Sequence, residues 1–342
     1  MVFPAGSAAF GHDPAMMASP WLSASCPVMT ESAFFCPLVH EGLLAVRGPE
    51  AGTFLQGQLT CNLQYLDASH SSPGARCTPK GRMLSSFRIL PEGDGYLLAM
   101  AAELLEPQQA DLKKYAVFSK AVLSDESPHW LRLGLYQAGA ALAAMGLPLP
   151  EQDNQMTAIE GGLLVRLSAS RSELWLKRSS AESLGSQLAA RLPEAPLNDW
   201  LLAQIRDGAG QVFGPTRELF VPQMINLQAL GGVSFKKGCY AGQEIVARTQ
   251  YLGKLKRRLY RLQLDSMEVP APATALFSPA HPGGSAGEVV LAARTAEGGE
   301  LLAVVQEEAI ADGRLQLGTP EGPRLQPMTL PYELDPQQEL QR

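Results

Sequence analysis

The sequence predicts an α+β fold: two units that each combine an antiparallel sheet with helices, followed by a small all-β unit. Three observations predict it. Strand-like and helix-like apolar patterns alternate from Leu43 to Ala116, and a second series of the same kind runs from Trp130 to Asp207. Beyond Arg258 the texture changes to short apolar runs broken by Gly and Pro. At 342 residues the chain is long enough for two or three separate cores.

Leu43-Leu44-Ala45-Val46-Arg47-Gly48 reads as a strand ending in a turn, and Ala51 to Leu59 carries Phe54, Leu55 and Leu59 at helical spacing. Arg76 to Leu90 reads as a hairpin turning at Pro79-Lys80-Gly81-Arg82, with Met83, Leu84, Phe87 and Ile89 in its second arm. Gly95 to Met100 is a further strand and Leu104 to Ala116 a helix. In the second unit, Trp130 to Tyr136 is a strand, Ala138 to Met145 a helix, and Gly162 to Leu167 with Ser172 to Leu176 a strand pair. Ala181 to Leu192 is a helix closed by Pro193, and Trp200 to Asp207 opens another. The runs Leu259 to Leu264, Gly287 to Ala293, Leu301 to Val305 and Arg314 to Leu317 predict a small β-barrel or sandwich. The expected boundaries are a flexible extension over 1–30, a first unit over 31–128, a second over 129–253 and the all-β unit over 254–342.

A hydrophobic fraction of 46% and a charged fraction of 18% describe an ordinary globular chain. The net charge of −6 argues against wholesale coating of nucleic acid. Charge is uneven, however: Lys236, Lys237, Arg248, Lys254, Lys256, Arg257, Arg258 and Arg261 face Glu244 alone in that stretch. Such a stripe suggests one anionic partner at one place, and a solvated face is the other reading. The five cysteines are scattered without a C-x-x-C pair, and the histidines form no ligand cluster. A reducing compartment and no tightly bound metal are expected. No run reaches the ~20 apolar residues that span a bilayer. No Lys or Arg precedes Arg47, which leaves neither a secretory nor a mitochondrial signal, so the cytoplasm is the expected location.

The richest stretch is Phe235-Lys236-Lys237-Gly238-Cys239-Tyr240-Ala241-Gly242-Gln243-Glu244. Two adjacent ammonium groups favour a thiolate if they point at it. Gly238 and Gly242 permit positive φ or close approach, and Gln243 and Glu244 offer directional polar groups. A lone cysteine is also a common small core residue, and on residue type alone both readings of Cys239 stand. The same holds for Trp200, which is either an aromatic of a ligand pocket or core packing at a helix start.

The octet Lys237 to Glu244 resembles the K-G-C-[FY]-x-G-Q-E signature of the YgfZ-type folate-binding proteins, relatives of the aminomethyltransferase (T-protein) of the glycine cleavage system. The likeness includes Phe54-Leu55-Gln56-Gly57-Gln58-Leu59-Thr60, Pro79-Lys80-Gly81-Arg82-Met83, Leu112 to Lys120 and Pro222 to Gly232, and covers roughly residues 40 to 335. It implies two pseudo-related α/β lobes around a central folate-sized hole, plus a C-terminal β-barrel. It implies tetrahydrofolate, including polyglutamylated forms, as the ligand. Trp200, Tyr240, Gln243, Glu244 and Arg248 are then the expected folate-binding residues. Cys239 becomes the reactive or ligand-contacting group, with Lys237 as its electrostatic partner. The implied role is assembly or repair of iron–sulfur enzymes, including those that thiolate tRNA. Such client enzymes are the implied partners, with direct RNA contact open.

Two departures matter. Arg206-Asp207 falls where the aminomethyltransferases carry a pterin-contacting glutamate, with Arg206 in the carboxylate's place. Ser85 and Ser86 stand where those enzymes carry an Asp-Asp pair, and a hydroxyl is no base near neutral pH. A folate-dependent one-carbon transferase and a non-catalytic adaptor for a protein or RNA partner are the other two readings.

Overall fold

The computed structural model describes residues 32–252 and 255–334. The extension read over 1–30 and Lys254 of the basic stripe lie outside the described residues. The chain begins with strands β1 (Phe34–Pro37) and β2 (Glu41–Arg47), helix α1 (Ala51–Gln56), strands β3 (Ser72–Cys77), β4 (Met83–Glu92) and β5 (Gly95–Ala101) and helix α2 (Ala102–Ala116). Next come β6 (Val122–Asp125), β7 (Trp130–Tyr136), α3 (Gly139–Ala144), β8 (Met156–Ile159), β9 (Gly162–Arg166) and β10 (Arg171–Lys177). Helices α4 (Ala181–Ala189), α5 (Leu197–Arg206) and α6 (Gln243–Leu252) follow. The last unit holds β11 (Arg257–Leu264), β12 (Ala275–Phe277), β13 (Gly287–Thr295), β14 (Gly298–Gln306), α7 (Glu307–Asp312), β15 (Leu315–Leu317) and β16 (Arg324–Met328).

The strands form a five-stranded sheet in the order β3-β4-β5-β2-β6, a second in the order β1-β7-β10-β9-β8, and a closed six-stranded barrel. The strand period of two sorts each sheet's side chains onto opposite faces. Leu44, Val46, Ile89, Leu98 and Met100 of the first sheet pack under α1 and α2 with Phe54, Leu55 and Leu112. Their neighbours Leu43, Ala45, Leu90, Leu97 and Ala99 meet Trp130, Val165 and Trp175 of the second sheet. On that sheet's far side, Leu133, Leu135, Leu174 and Leu176 pack with Leu142 and Leu188 of α3 and α4. The layers are therefore helix, sheet, sheet, helix. Each fully buried aliphatic side chain contributes about 1.5–3 kcal/mol to holding them together.

The fold is the mixed α/β architecture with a C-terminal barrel that the sequence predicts. Pairing of β16 with β11 closes that barrel, which decides between barrel and sandwich. One strand crosses over: the expected boundary at residue 31 puts β1 in the first unit, but β1 pairs with β7 (Phe34 opposite Tyr136) at the edge of the second sheet. The strands absent from the sequence reading include β1, β6 and β8, all at sheet edges. Edge strands are short and one-sided, so they carry little of the alternation that betrays a central strand. Helix α5 lies between the second sheet and the barrel, where Trp200, Leu201, Leu202 and Ile205 share one core with Leu259, Val290 and Leu302. Among the described residues, no helix is long and apolar enough to cross a membrane.

Candidate functional site

The faces that build the apolar core between the sheets become charged toward one end. On β10 the inward series runs Trp175, Glu173, Arg171; on β7 it runs Trp130, Arg132, Gly134; on β4 it runs Leu90, Arg88, Ser86. Glu41 continues the Leu43 face of β2. These polar side chains line a cavity of about 650 Å³. Gln204 and Asp207 at the end of α5, the 209–211 and 227–231 segments and Tyr332 complete its wall.

Most of the charge is paired. The Arg132 guanidinium donates to Glu41 Oε2 and to Glu173 Oε2, each at 2.5 Å, and lies 4.4 Å from the centre of the Trp175 ring. Trp175 Nε1 donates to Glu173 Oε2 at 2.7 Å, and Gln211 Nε2 to Glu41 Oε1 at 2.7 Å. Burial alone would raise the Glu41 carboxyl, but Arg132, with His40 and Gln211, outweighs it and holds the group at about 2. Arg171 Nε donates to Asp207 Oδ2 at 2.6 Å, and its guanidinium lies 4.9 Å from the centre of the Trp200 ring. Trp200 itself is 2% exposed and forms the core behind that wall. It sits over Gly134, where a β-carbon would come within 2.6 Å of the ring. Ser86 lines the cavity and accepts the Val212 N–H at 2.8 Å, whereas Ser85 is buried off the cavity wall with no hydrogen-bond partner for its Oγ among the described residues.

The signature stretch forms a second place, built from three of the segments that carry the resemblance. Lys237 Nζ donates to the Leu59 and Cys61 carbonyls at 2.8 and 2.7 Å, and lies 5.2 Å from the centre of the Tyr240 ring. Burial lowers its pKa to about 8. The Ser234 N–H bonds Thr60 O at 2.9 Å, Thr60 Oγ1 donates to Gly232 O at 2.6 Å, and the Ala241 N–H bonds Gly57 O at 3.2 Å. Gly242 (φ +83°) then brings α6 onto the β3–β4 turn so closely that a β-carbon would lie 2.4 Å from Thr78 O. Cys239 and Gly238 project outward from this anchored loop, and a β-carbon on Gly238 would meet nothing within 4 Å. Among the described residues Cys239 is the exposed cysteine, while burial pushes the Cys61 thiol to about 11 and the Cys36 and Cys77 thiols to about 12.

No family model matches the chain. Curated relatives do. It is 35% identical over 299 residues, 86% of this chain and 90% of the relative, to "tRNA-modifying protein YgfZ" of Edwardsiella ictaluri. The same-named proteins of Cronobacter sakazakii (35% over 81% of this chain and 84% of the relative) and Photorhabdus laumondii (37% over 67% and 70%) match as well. The chain belongs to the YgfZ family. In fold it is similar to the glycine cleavage system aminomethyltransferase T of Bartonella henselae, with a TM-score of 0.67 and 18% identity over 87% of this chain and 86% of that one.

In this YgfZ-family chain the residues named from sequence do not converge on the cavity. Cys239, Lys237, Tyr240, Gln243, Glu244 and Arg248 are absent from its wall, and Trp200 stands behind the wall, under Arg171. Lys237 was expected to face the Cys239 thiol; its ammonium is instead directed inward to backbone carbonyls, as a loop anchor. Gln243 makes a long contact of 3.5 Å to the Lys237 carbonyl, while Glu244 and Arg248 are exposed. The basic stripe is not one face. Arg257 pairs with Glu288 and Arg261 with Glu300 (2.7 Å) on the barrel, Lys237 is buried, and Lys256 is exposed. Arg206, read as the substitute for a pterin-contacting carboxylate, turns to Glu300 at 3.0 Å, and its neighbour Asp207 supplies the carboxylate at the cavity.

Glu41, Arg88, Arg132, Arg171 and Glu173 were missed from sequence, yet a signal existed. Each charged residue lies on the same alternating face as a Trp or Leu within a strand-like run, and charge on a core face is the informative exception to burial.

Gly242→Ala is expected to loosen the anchored loop. A β-carbon at positive φ costs of order 1–3 kcal/mol, and here it would also strike Thr78 O. Amide exchange across residues 237–250 should accelerate, while Gly238→Ala, with open space around it, should change it little. Equal exchange in both variants would show that the Gly242 contact does not hold the loop.

Proposed function

We propose that this YgfZ-family protein binds a reduced folate in the central cavity, tetrahydrofolate or its polyglutamates, and supports iron–sulfur enzymes that thiolate tRNA in the cytoplasm. The observation that carries the ligand reading is the cavity itself. Its volume of about 650 Å³ suits a small-molecule ligand, and it lies at the junction of both sheets and α5, in a fold shared with an aminomethyltransferase. The pterin edge presents adjacent N–H donors, and Asp207, oriented by Arg171, offers a fixed carboxylate to accept them. The curated relatives, named as tRNA-modifying proteins, support the cellular side of the reading.

Ser86 occupies the cavity wall where a transferase of this fold would carry a carboxylate, which favours binding without aminomethyl transfer. Cys239 lies outside the cavity and is offered to a client enzyme rather than to the folate.

Calorimetric titration with tetrahydrofolate should show saturable binding, weakened roughly 10-fold or more by Asp207→Asn, since a charge-assisted hydrogen bond contributes about 1.5–3 kcal/mol. Mixing with an aminomethylated carrier and reduced folate should give no methylene transfer. Absence of folate binding, or robust transfer, would overturn the reading.

A further inference from the structure

The ionised groups of the cavity are not evenly matched. Arg132 is held between Glu41 and Glu173, Arg171 holds Asp207, and Asp153, the remaining carboxylate of the wall, is exposed and lies 3.5 Å from Arg166. Arg88 lines the same cavity from β4, and among the described residues its hydrogen-bond partners are neutral: Nη1 donates to Ser71 Oγ at 2.9 Å and to Asn154 Oδ1 at 3.0 Å. These two contacts fix the guanidinium without neutralising it. Burial, with the like charges of Arg171 and Arg132 nearby, lowers its pKa to about 10 even though Glu173 and Glu41 pull the other way. A half-buried, desolvated cation with no carboxylate in direct contact is costly, and an anion entering the cavity would relieve that cost.

We propose that Arg88 is the anion-binding residue of the cavity and receives a carboxylate of the bound ligand. Ser71 and Asn154 hold the guanidinium in position, so little side-chain freedom is lost when the anion arrives. Ser86 stands two residues away on the same strand face, about 7 Å along it, so the anion lies beside the wall that Ser86 forms. The ligand's identity rests on the folate reading above. In a folate the carboxylates are those of the glutamate tail; in a separate small acid bound beside the pterin they are that molecule's own. Either way the anion is held inside the cavity and not on the basic stripe, where Arg257 and Arg261 already pair with barrel glutamates.

Titrations of the full chain and its Arg88→Met and Arg88→Lys variants with tetrahydrofolate, 6-methyltetrahydropterin (no tail) and glutarate test this. Loss of the charge should weaken tetrahydrofolate about 10- to 100-fold, leave the tailless pterin unchanged, and be largely restored by lysine. Arg88→Met should melt close to the parent, because the lost attraction to Glu173 and Glu41 is offset by relief of the desolvation cost and of the repulsion from Arg171 and Arg132. Arg88-dependent binding of glutarate, with tetrahydrofolate affinity unaffected, would keep the anion site and assign it to a separate acid. Equal tetrahydrofolate affinity in all three proteins, with no Arg88-dependent glutarate binding, would overturn the proposal while leaving the folate reading intact. If neither pterin probe binds the parent, the folate reading fails, and glutarate alone then decides Arg88.

Discussion

Replacing Arg132 with methionine is expected to destabilise the protein by about 3–5 kcal/mol, a large part of the stability of an ordinary domain. The guanidinium is buried between Glu41 and Glu173, and its removal leaves two carboxylates without the cation that bonds them both. Denaturant unfolding of the variant should show the loss, and Glu41→Gln with Glu173→Gln in the same chain should recover most of it, since the uncompensated charge is then gone. Acid should probe the same network. The Glu41 carboxyl is depressed in the folded state, so its contribution is present above the ordinary value of 4.5 and fades as pH falls toward about 2. His40 adds to acid sensitivity: burial lowers its pKa, so below the ordinary value of 6.5 the unfolded chain binds the proton more readily. If Arg132→Met unfolds at the parent's denaturant midpoint, the triad is solvated and contributes little.

Cys239→Ser is expected to abolish function in cells while changing stability by no more than about 0.5 kcal/mol, as for other exposed positions. The loop around it is held by Lys237, Thr60 and Gly242, none of which depends on the thiol. Thiolated tRNA nucleosides, measured in a host whose own YgfZ-family protein has been deleted, give the readout. Parent chain should restore them and the serine variant should not. Lys237→Met serves as the contrasting variant, because it leaves the Leu59 and Cys61 carbonyls without their donor and should lower both stability and function. A serine variant that restores thiolation as well as the parent would make Cys239 dispensable.

Central strands were readable because their neighbours on both sides demand apolar residues, as in Trp130 to Tyr136 and Gly95 to Met100. The Lys237 to Glu244 octet was readable because its residue types and spacing match a signature that needs no coordinates. The direction of Lys237 was not. Its acceptors lie 176 and 178 residues away, and nothing local distinguishes an ammonium aimed at a neighbouring thiol from one aimed into the protein. The same reason hid the fate of the basic stripe, since Arg261 finds its carboxylate 39 residues on, across a barrel strand.

The sequence by itself determined which segments become central strands and helices, the barrel texture of the last unit and the family signature, because these follow from residue type and short-range period. Only the tertiary structure decided that the charged ends of those strands meet in one cavity, that Asp207 and not Arg206 faces it, and that Cys239 stands outside it. Alternation assigns a side chain to a face, but which face meets which is set by packing between residues such as Glu41 and Arg132, 91 positions apart.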